Sequence, residues 1–336
     1  MVSIKDIARI AGVSHTTVSR ALRDSPEVSE ETKARIRHIA DEVGYRPSAV
    51  ARSLVTQRTQ VVGVVVTRLS DPFHTEMVQG VEEVAEQHEY GVLLSLSHED
   101  SRKEQSIVEM MAQRQVDGII VSASRVGNHY LNLLEGLHIP IVLINSHHTS
   151  ENVYSIAMDD HHGGLVATQH LIDLGHQHIG YITSERGGRT SRQRMAGYRE
   201  ALKEADLPSE RTLVAKGNGR VAGGEAAMTR LLARDPRPTA VFCYNDLTAI
   251  GALRAIVQAG LCVPEDVSLV GFDGLVEATY VNPPLTTVEQ PRHQMGRLAA
   301  QMIIGLLSDE SQPTRLVLQG TLIRRDSCSP PAEVRS

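Results

Sequence analysis

The 336 residues are 41% hydrophobic and 22% charged, an ordinary globular balance that argues against disorder and, at roughly 100 to 200 residues per domain, predicts two or three folded units. No apolar run approaches the ~18 residues needed to span a bilayer, and residues 1–6 hold no basic stretch leading into an apolar one, so a cytoplasmic protein is expected. The net charge of −6 is unevenly spread: residues 1–60 carry ten Lys/Arg against seven Asp/Glu, and the remainder carries 24 against 33, a mildly basic head on an acidic body.

Residues 4–11 predict a short helix, with Ile4, Ile7, Ala8 and Ala11 at spacings of three and four. Gly12 breaks it, and Ser14 is placed to cap a second helix over 15–23 whose inward face is Val18, Ala21 and Leu22. Two short helices joined by a tight glycine turn form a helix-turn-helix pattern. A third helix over 29–43 opens at Ser29, buries Ile36, Ile39, Ala40 and Val43, and stops at Gly44. On the second helix the outward residues are His15, Thr16, Thr17, Ser19 and Arg20, side chains able to reach base edges or phosphates in a major groove and equally able to form a solvated face. Residues 47–59 favour a further helix through Pro47, Ala49, Val50, Ala51 and Leu54, too short to be stable without a second copy or DNA. An exposed Leu54 suits a wedge inserted into a minor groove.

The string Ile4-Lys5-Asp6-Ile7-Ala8, then Ala11-Gly12-Val13-Ser14, Thr17-Val18-Ser19-Arg20-Ala21-Leu22, Gly44-Tyr45-Arg46-Pro47 and Ala51-Arg52-Ser53-Leu54 resembles the head and hinge of the lac/gal repressor (LacI/GalR) family. The resemblance implies base reading by His15, Thr16 and Arg20, phosphate contacts from Ser14, Thr17 and Ser19, and a DNA contact at the hinge through Ala51 and the intercalating Leu54. Palindromic double-stranded operator DNA and a homodimer follow as expected partners.

From residue 60 onward, β-branched runs alternate with helical patterns. Strands are expected at 60–67, 92–96, 118–122 and 141–145, with helices near 73–88, 102–114 and 127–137 between them. The rhythm restarts at 178–183 and continues through 212–215, 240–244 and 267–272. Near-continuous apolar strands between helices mean parallel sheets covered on both faces, so the fold class is a small all-α helix-turn-helix head plus an α/β body of two doubly wound parallel-sheet lobes. The expected divisions are 1–46 for the DNA-binding domain, 47–59 for hinge and linker, 60–330 for the core and 331–336 for a tail. Within the core, one lobe takes about 60–160 plus 291–320, and the other about 161–290 plus 321–330.

In such folds ligands bind at the carboxyl ends of strands, in a cleft between facing lobes. That rule nominates Asp71, Pro72, Phe73 and His74, then Asn145 and Ser146, then Asp159 and Asp160. The second lobe offers Arg189, Thr190, Arg192, Arg194, Asn245, Asp246, Asp273 and Gln290. Asp160 and Asp246 read as helix caps. Segments such as Asp71-Pro72-Phe73, Arg194-Met195-Ala196-Gly197-Tyr198, Asn245-Asp246, Gly271-Phe272-Asp273 and Pro284-Leu285-Thr286-Thr287-Val288 extend the family resemblance through the body. It implies a periplasmic-binding-protein-like core in which Arg194, Asn245, Asp273 and Gln290 hydrogen-bond a carbohydrate-like effector, a sugar or sugar acid, with Phe73 and His74 opposite. Asn145 and Thr190 complete the expected set.

Other signals are weaker. Gly217-x-Gly219-x-x-Ala222 is a lone fragment of a dinucleotide fingerprint without its acidic partner. His147-His148 and His161-His162 lack helical metal-ligand spacing, and Cys243, Cys262 and Cys328 lack both disulfide and zinc spacing. No cofactor, metal or catalytic residue is expected, since GxSxG, P-loop and HExxH patterns are absent. The expectation is a ligand-controlled transcription regulator, a repressor; a solute-binding protein or a sugar-active enzyme on the same two-lobed body are the alternatives.

Overall fold

The computed structural model describes residues 2–45, 53, 57–122, 136, 139–146, 154–185 and 188–332. The chain forms two compact units, Met1–Thr59 and Gln60–Ser336.

Among the described residues the first unit holds the helices α1 (Ile4–Ala11), α2 (His15–Leu22) and α3 (Glu30–Glu42). Each start has a sequence cause. Ser3 and Asp6 form a reciprocal capping box on α1, and Ser14 and Ser29 accept the N–H groups of Thr17 and Thr32. Gly12 turns the chain at φ +66, a left-handed conformation natural to glycine, between α1 and α2. Ile7, Ala8, Ala11, Val18, Ala21, Val28, Ile36 and Ala40 make the core, with Ile4, Leu22, Ile39 and Val43 partly buried around it. Lys33, absent from the expected core, is only 4% exposed and reaches Glu30 at 2.7 Å and Asp24 at 3.2 Å, its stem filling space while its ammonium stays paired. The hinge positions Ala51 and Leu54 lie outside the described residues.

The second unit carries two six-stranded sheets. One contains β1 (Val61–Val66), β2 (Gly91–Leu96), β3 (Gly118–Ser122), β4 (Ile141–Ile144), β5 (Tyr154–Met158) and β11 (Arg315–Leu318), in the order β11-β5-β4-β3-β1-β2. Its partner contains β6 (Ile179–Ser184), β7 (Val214–Gly217), β8 (Ala240–Cys243), β9 (Ser268–Asp273), β10 (Thr286–Glu289) and β12 (Thr321–Ile323), in the order β12-β10-β9-β8-β6-β7. All pairings are parallel except β12 on β10, an antiparallel edge.

Helices cover both faces of each sheet. In the first lobe, α4 (Pro72–Gln87) and α10 (Arg292–Leu307) place Met77, Val81, Met295 and Ala299 on one face, while α5 (Ser101–Gln113) places Val108 and Met111 on the other. In the second, α8 (Val221–Leu232) and α9 (Asp246–Gln258) cover one face, and α6 (Asp160–Asp173) and α7 (Gly188–Glu204) the other. Three helix pairs approach closely enough to require glycine at the crossing. A β-carbon on Gly80, Gly197 or Gly251 would lie 2.0–2.1 Å from the carbonyl oxygen of His293, His161 or Val221. The chain passes between lobes three times, at β5 to α6, β10 to α10 and β11 to β12.

Several elements differ from expectation. Strands β5, β10, β11 and β12 are not foreseen, and the segment expected as a strand at 212–215 begins with a 3-10 turn at Arg211–Leu213 before β7. The helix expected near 127–137 falls almost wholly outside the described residues. Among the described residues no helix is long and apolar enough to cross a membrane.

Candidate functional site

In the first unit, the capping chemistry of α2 consumes part of its outward face. The Ser14 and Thr17 hydroxyls hydrogen-bond to each other at 2.8 Å, and Ser14 Oγ accepts the Thr17 N–H. Ser19 Oγ accepts from Arg23 at 2.7 Å. Arg20 is half exposed and pairs with Glu27 at 2.7 Å, a solvated contact it can exchange at little cost. His15 and Thr16 are exposed at the start of the helix. The six α2 candidates therefore run from its N-cap, Ser14, to its last turn, Arg20, with His15, Thr16 and Arg20 exposed and Thr17 and Ser19 partly buried.

In the second unit, a buried polar chain links the carboxyl ends of β8 and β9 to α6 and α7. Arg194, on α7, is 3% exposed; its Nε donates to Asp160 Oδ1 at 2.9 Å and its Nη1 to the Tyr244 carbonyl at 2.5 Å, with Asp273 Oδ1 at 3.6 Å. The guanidinium carbon also lies 3.5 Å from the Phe272 ring centroid and 4.8 Å from that of Tyr244. Burial works against the Arg194 charge, but Asp160 and Asp273 outweigh it and hold the group above its usual range. Burial likewise pushes the Asp160 carboxyl upward, opposed by Arg194 and by a hydrogen bond from Thr190.

Asp273 ends β9 at φ +105, a strained conformation for a residue with a β-carbon. Gln290 Nε2 donates to its Oδ1 at 2.7 Å, and Arg292 donates to its carbonyl while pairing with Glu76 at 2.8 Å. Burial pushes the Asp273 carboxyl up to about 6. The other amide atom of Gln290, Oε1, is buried with no partner among the described residues, an acceptor whose desolvation is uncompensated.

Asn245 caps α9: its Oδ1 accepts from the Thr248 N–H and hydroxyl, and its Nδ2 donates to the Gly219 carbonyl at 3.1 Å. Asp160 and Asp246 do not cap their helices. Asp159 and Asn245 take those positions, freeing Asp160 for Arg194 and Asp246 for the Leu275 N–H at 2.7 Å and the Thr287 hydroxyl at 2.6 Å.

The opposite lobe contributes its own strand ends. Asp71 caps α4 through the Phe73 N–H, and Phe73 and His74 meet edge to face at 5.5 Å. His74 sits 2.8 Å from the Thr67 hydroxyl and 3.4 Å from that of Ser122, and burial lowers its imidazole below the usual range. It is a neutral ring tying β1 to β3. Asn145, at φ +53 after β4, accepts the Met158 N–H at 3.2 Å. The Asp71 charge is felt by both Asp273 and Tyr244, which links this lobe electrostatically to the Arg194 cluster. A direct contact bridges the lobes elsewhere: Glu99 meets Arg220 at 3.2 Å and Arg68 at 3.4 Å.

Arg194, Thr190, Asp273 and Gln290 are thus brought into one cluster with Asp160. Asn245 adjoins it through Gly219 and Tyr244, while Phe73, His74 and Asn145 stand on the other sheet. Tyr244 is the residue that sequence reasoning missed. Its signal was position: a tyrosine between the end of β8 and the cap of α9, in a chain with only 3% aromatic residues.

Comparison with known proteins agrees with this architecture. Residues 3–48 match the bacterial regulatory proteins of the lacI family, and residues 168–328 match a periplasmic binding protein-like domain. The chain is 38% identical to the HTH-type transcriptional regulator GalR of Salmonella typhimurium strain SL1344, over 99% of this chain and 98% of that one. It is 34% identical to the HTH-type transcriptional repressor PurR of Aliivibrio fischeri strain ATCC 700601 / ES114, over 98% and 99%. A lac repressor dimer bound to operator and the anti-inducer ONPF superposes with TM-score 0.88 at 25% identity, covering 98% and 99% of the two chains. A transcriptional regulator CelR in complex with cellobiose gives TM-score 0.74 at 31% identity, covering 97% and 100%. With its helix-turn-helix unit, its two-sheet body and full-length relatives of this kind, the chain belongs to the lacI family of bacterial regulatory proteins.

Proposed function

We propose that this regulator is a cytoplasmic homodimeric repressor that reads a palindromic operator through His15, Thr16 and Arg20, with phosphate contacts from Ser14, Thr17 and Ser19. Ala51 and Leu54 act at the centre of the site, Leu54 as a minor-groove wedge. A small carbohydrate-like effector binds among Arg194, Thr190, Asp273, Gln290 and Asn245 on one lobe and Phe73, His74 and Asn145 on the other. The observation that carries the effector reading is the buried, strained Asp273–Gln290–Arg194 cluster at the carboxyl ends of the strands, with the Gln290 Oε1 acceptor left without a partner among the described residues. Apolar side chains in place of such a buried cluster would often fold as stably or more so, which favours a binding role for it.

Selection from a random DNA library is the test of the reading head. Wild-type protein should enrich a palindrome, and Arg20→Ala should cost about 1–3 kcal/mol and relax preference at one base pair per half-site. Leu54→Ala should weaken that palindrome while leaving random DNA binding unchanged. Enrichment of no palindrome, or an Arg20→Ala variant with unaltered base preference, contradicts the assignment.

A further inference from the structure

We infer that Arg292 is the positioning residue that couples the effector site to the first lobe: its guanidinium grips the end of β9, and its ion pair with Glu76 ties that grip to α4. This rests on the effector reading above and goes beyond it, to how occupancy of the site reaches the first lobe.

Arg292 is the first residue of α10, immediately past a crossing between the lobes, and it is 3% exposed. Its guanidinium is shared between the two lobes. Toward the first, Nε and Nη2 donate to the two carboxylate oxygens of Glu76 on α4 at 3.1 and 2.8 Å, a forked pair joining residues 216 positions apart. Toward the second, Nη1 donates to the Asp273 carbonyl and Nη2 to the Gly274 carbonyl at 3.0 Å. Asp273 is the strained residue whose carboxylate accepts from Gln290 and faces Arg194. A ligand that engages this carboxylate therefore acts on the same residue whose carbonyl Arg292 holds.

The helices beyond Arg292 are locked together. Gly80 and Gly296 bring α4 and α10 so close that a β-carbon on either would lie 2.0–2.1 Å from a carbonyl oxygen of the other helix. The pair moves as one body, and α4 opens with Phe73 and His74 of the first-lobe set. Burial raises the Asp273 and Asp246 carboxyls, and the Arg292 charge is among the groups that oppose the rise. The second lobe thus already supplies Arg292 with counter-charge, and the Glu76 fork adds a tie between lobes.

Glu76→Ala isolates that tie, because Glu76 is half-exposed and its loss leaves both carbonyl contacts of Arg292 in place. In ligand-free full-length protein, hydrogen exchange in peptides spanning 273–276 should quicken about threefold or more in this variant. The amides concerned are those of Gly274 and Leu275, held by Thr287 and Asp246 in the second lobe. The full-length protein is also titrated with D-ribose, D-galactose and cellobiose, and affinity for the selected palindrome is measured with and without the sugar that binds. Glu76→Ala, and Arg292→Lys, which keeps the charge but not the fork, should cut the factor by which that sugar changes operator affinity to about twofold or less. Sugar affinity in Glu76→Ala should stay within about threefold of wild type. A lowered melting temperature with the wild-type factor retained, or unchanged exchange at 273–276 in Glu76→Ala, overturns the inference and leaves the effector site standing. Binding of no sugar to the wild type overturns the carbohydrate reading, and the exchange result then decides the inference alone.

Discussion

Arg194 is the side chain around which the body's polar chemistry is arranged, and its partners show how far single residues can be read without coordinates. An arginine ahead of Gly197-Tyr198 is a visible candidate, as are an aspartate ending an apolar strand and a glutamine following the next one. Their mutual contacts are not visible, because Asp160, Arg194, Tyr244 and Asp273 come from four different elements. Local rules also misplace Asp246: aspartate at a strand-to-helix junction reads as a cap, yet Asn245 one residue earlier takes that position. Asp246 instead turns inward, where burial first and the neighbouring Asp273 charge second push its carboxyl up to about 7, against the pull of Thr287, the Leu275 N–H and Arg292. The consequence for stability is signed. Between about pH 4 and pH 7 the unfolded chain releases this proton while the folded chain keeps it, so the Asp246 contribution declines as pH rises through that window. The advantage of wild type over Asp246→Asn in thermal melts should therefore be larger at pH 4.5 than at pH 7.5. An advantage independent of pH contradicts a raised Asp246.

At the scale of elements, legibility follows burial. Strands β1, β3, β8 and β9 are buried over nearly their whole length and read as mostly apolar runs, whereas β11 and β12 are short sheet-edge strands, β11 alternating in exposure and neither fully buried anywhere. Nothing in Arg315-Leu316-Val317-Leu318 announces that the chain has returned to the first lobe, since β-pairing over such separations is decided by tertiary context. The Glu99 bridge is equally silent in sequence, joining residues 121 positions apart. Glu99 sits at φ +64 after β2, facing Arg68 of its own lobe and Arg220 at the start of α8 in the other. It is a polar tie across the lobes, exposed enough to be worth on the order of 0.5 kcal/mol. Spin labels at Gln105 and Thr229, in protein with Cys262 replaced by serine and diluted with unlabelled chain, report the lobe separation. Glu99→Gln or Arg220→Gln should broaden the distance distribution towards longer values, and the double variant should add nothing beyond the larger single effect. Independent, additive broadening would show that the two side chains act separately.

For the whole molecule, the uneven charge acquires a physical meaning. The basic excess of residues 1–60 belongs to the unit carrying the recognition helix, and the acidic excess belongs to the two-lobed body. Like charge on the body discourages nonspecific contact with DNA, leaving recognition to the head. A regulator of this kind works only if the two units are thermodynamically coupled, and such coupling is reciprocal: whatever factor the effector imposes on operator affinity, operator must impose on effector affinity. The most direct measurement is therefore a closed cycle. Operator affinity is measured with and without a saturating concentration of the sugar that binds, and sugar affinity with and without operator. The two ratios should agree, at a factor of about 5 to 150. Affinities that are each unaffected by the other ligand would contradict effector control of DNA binding.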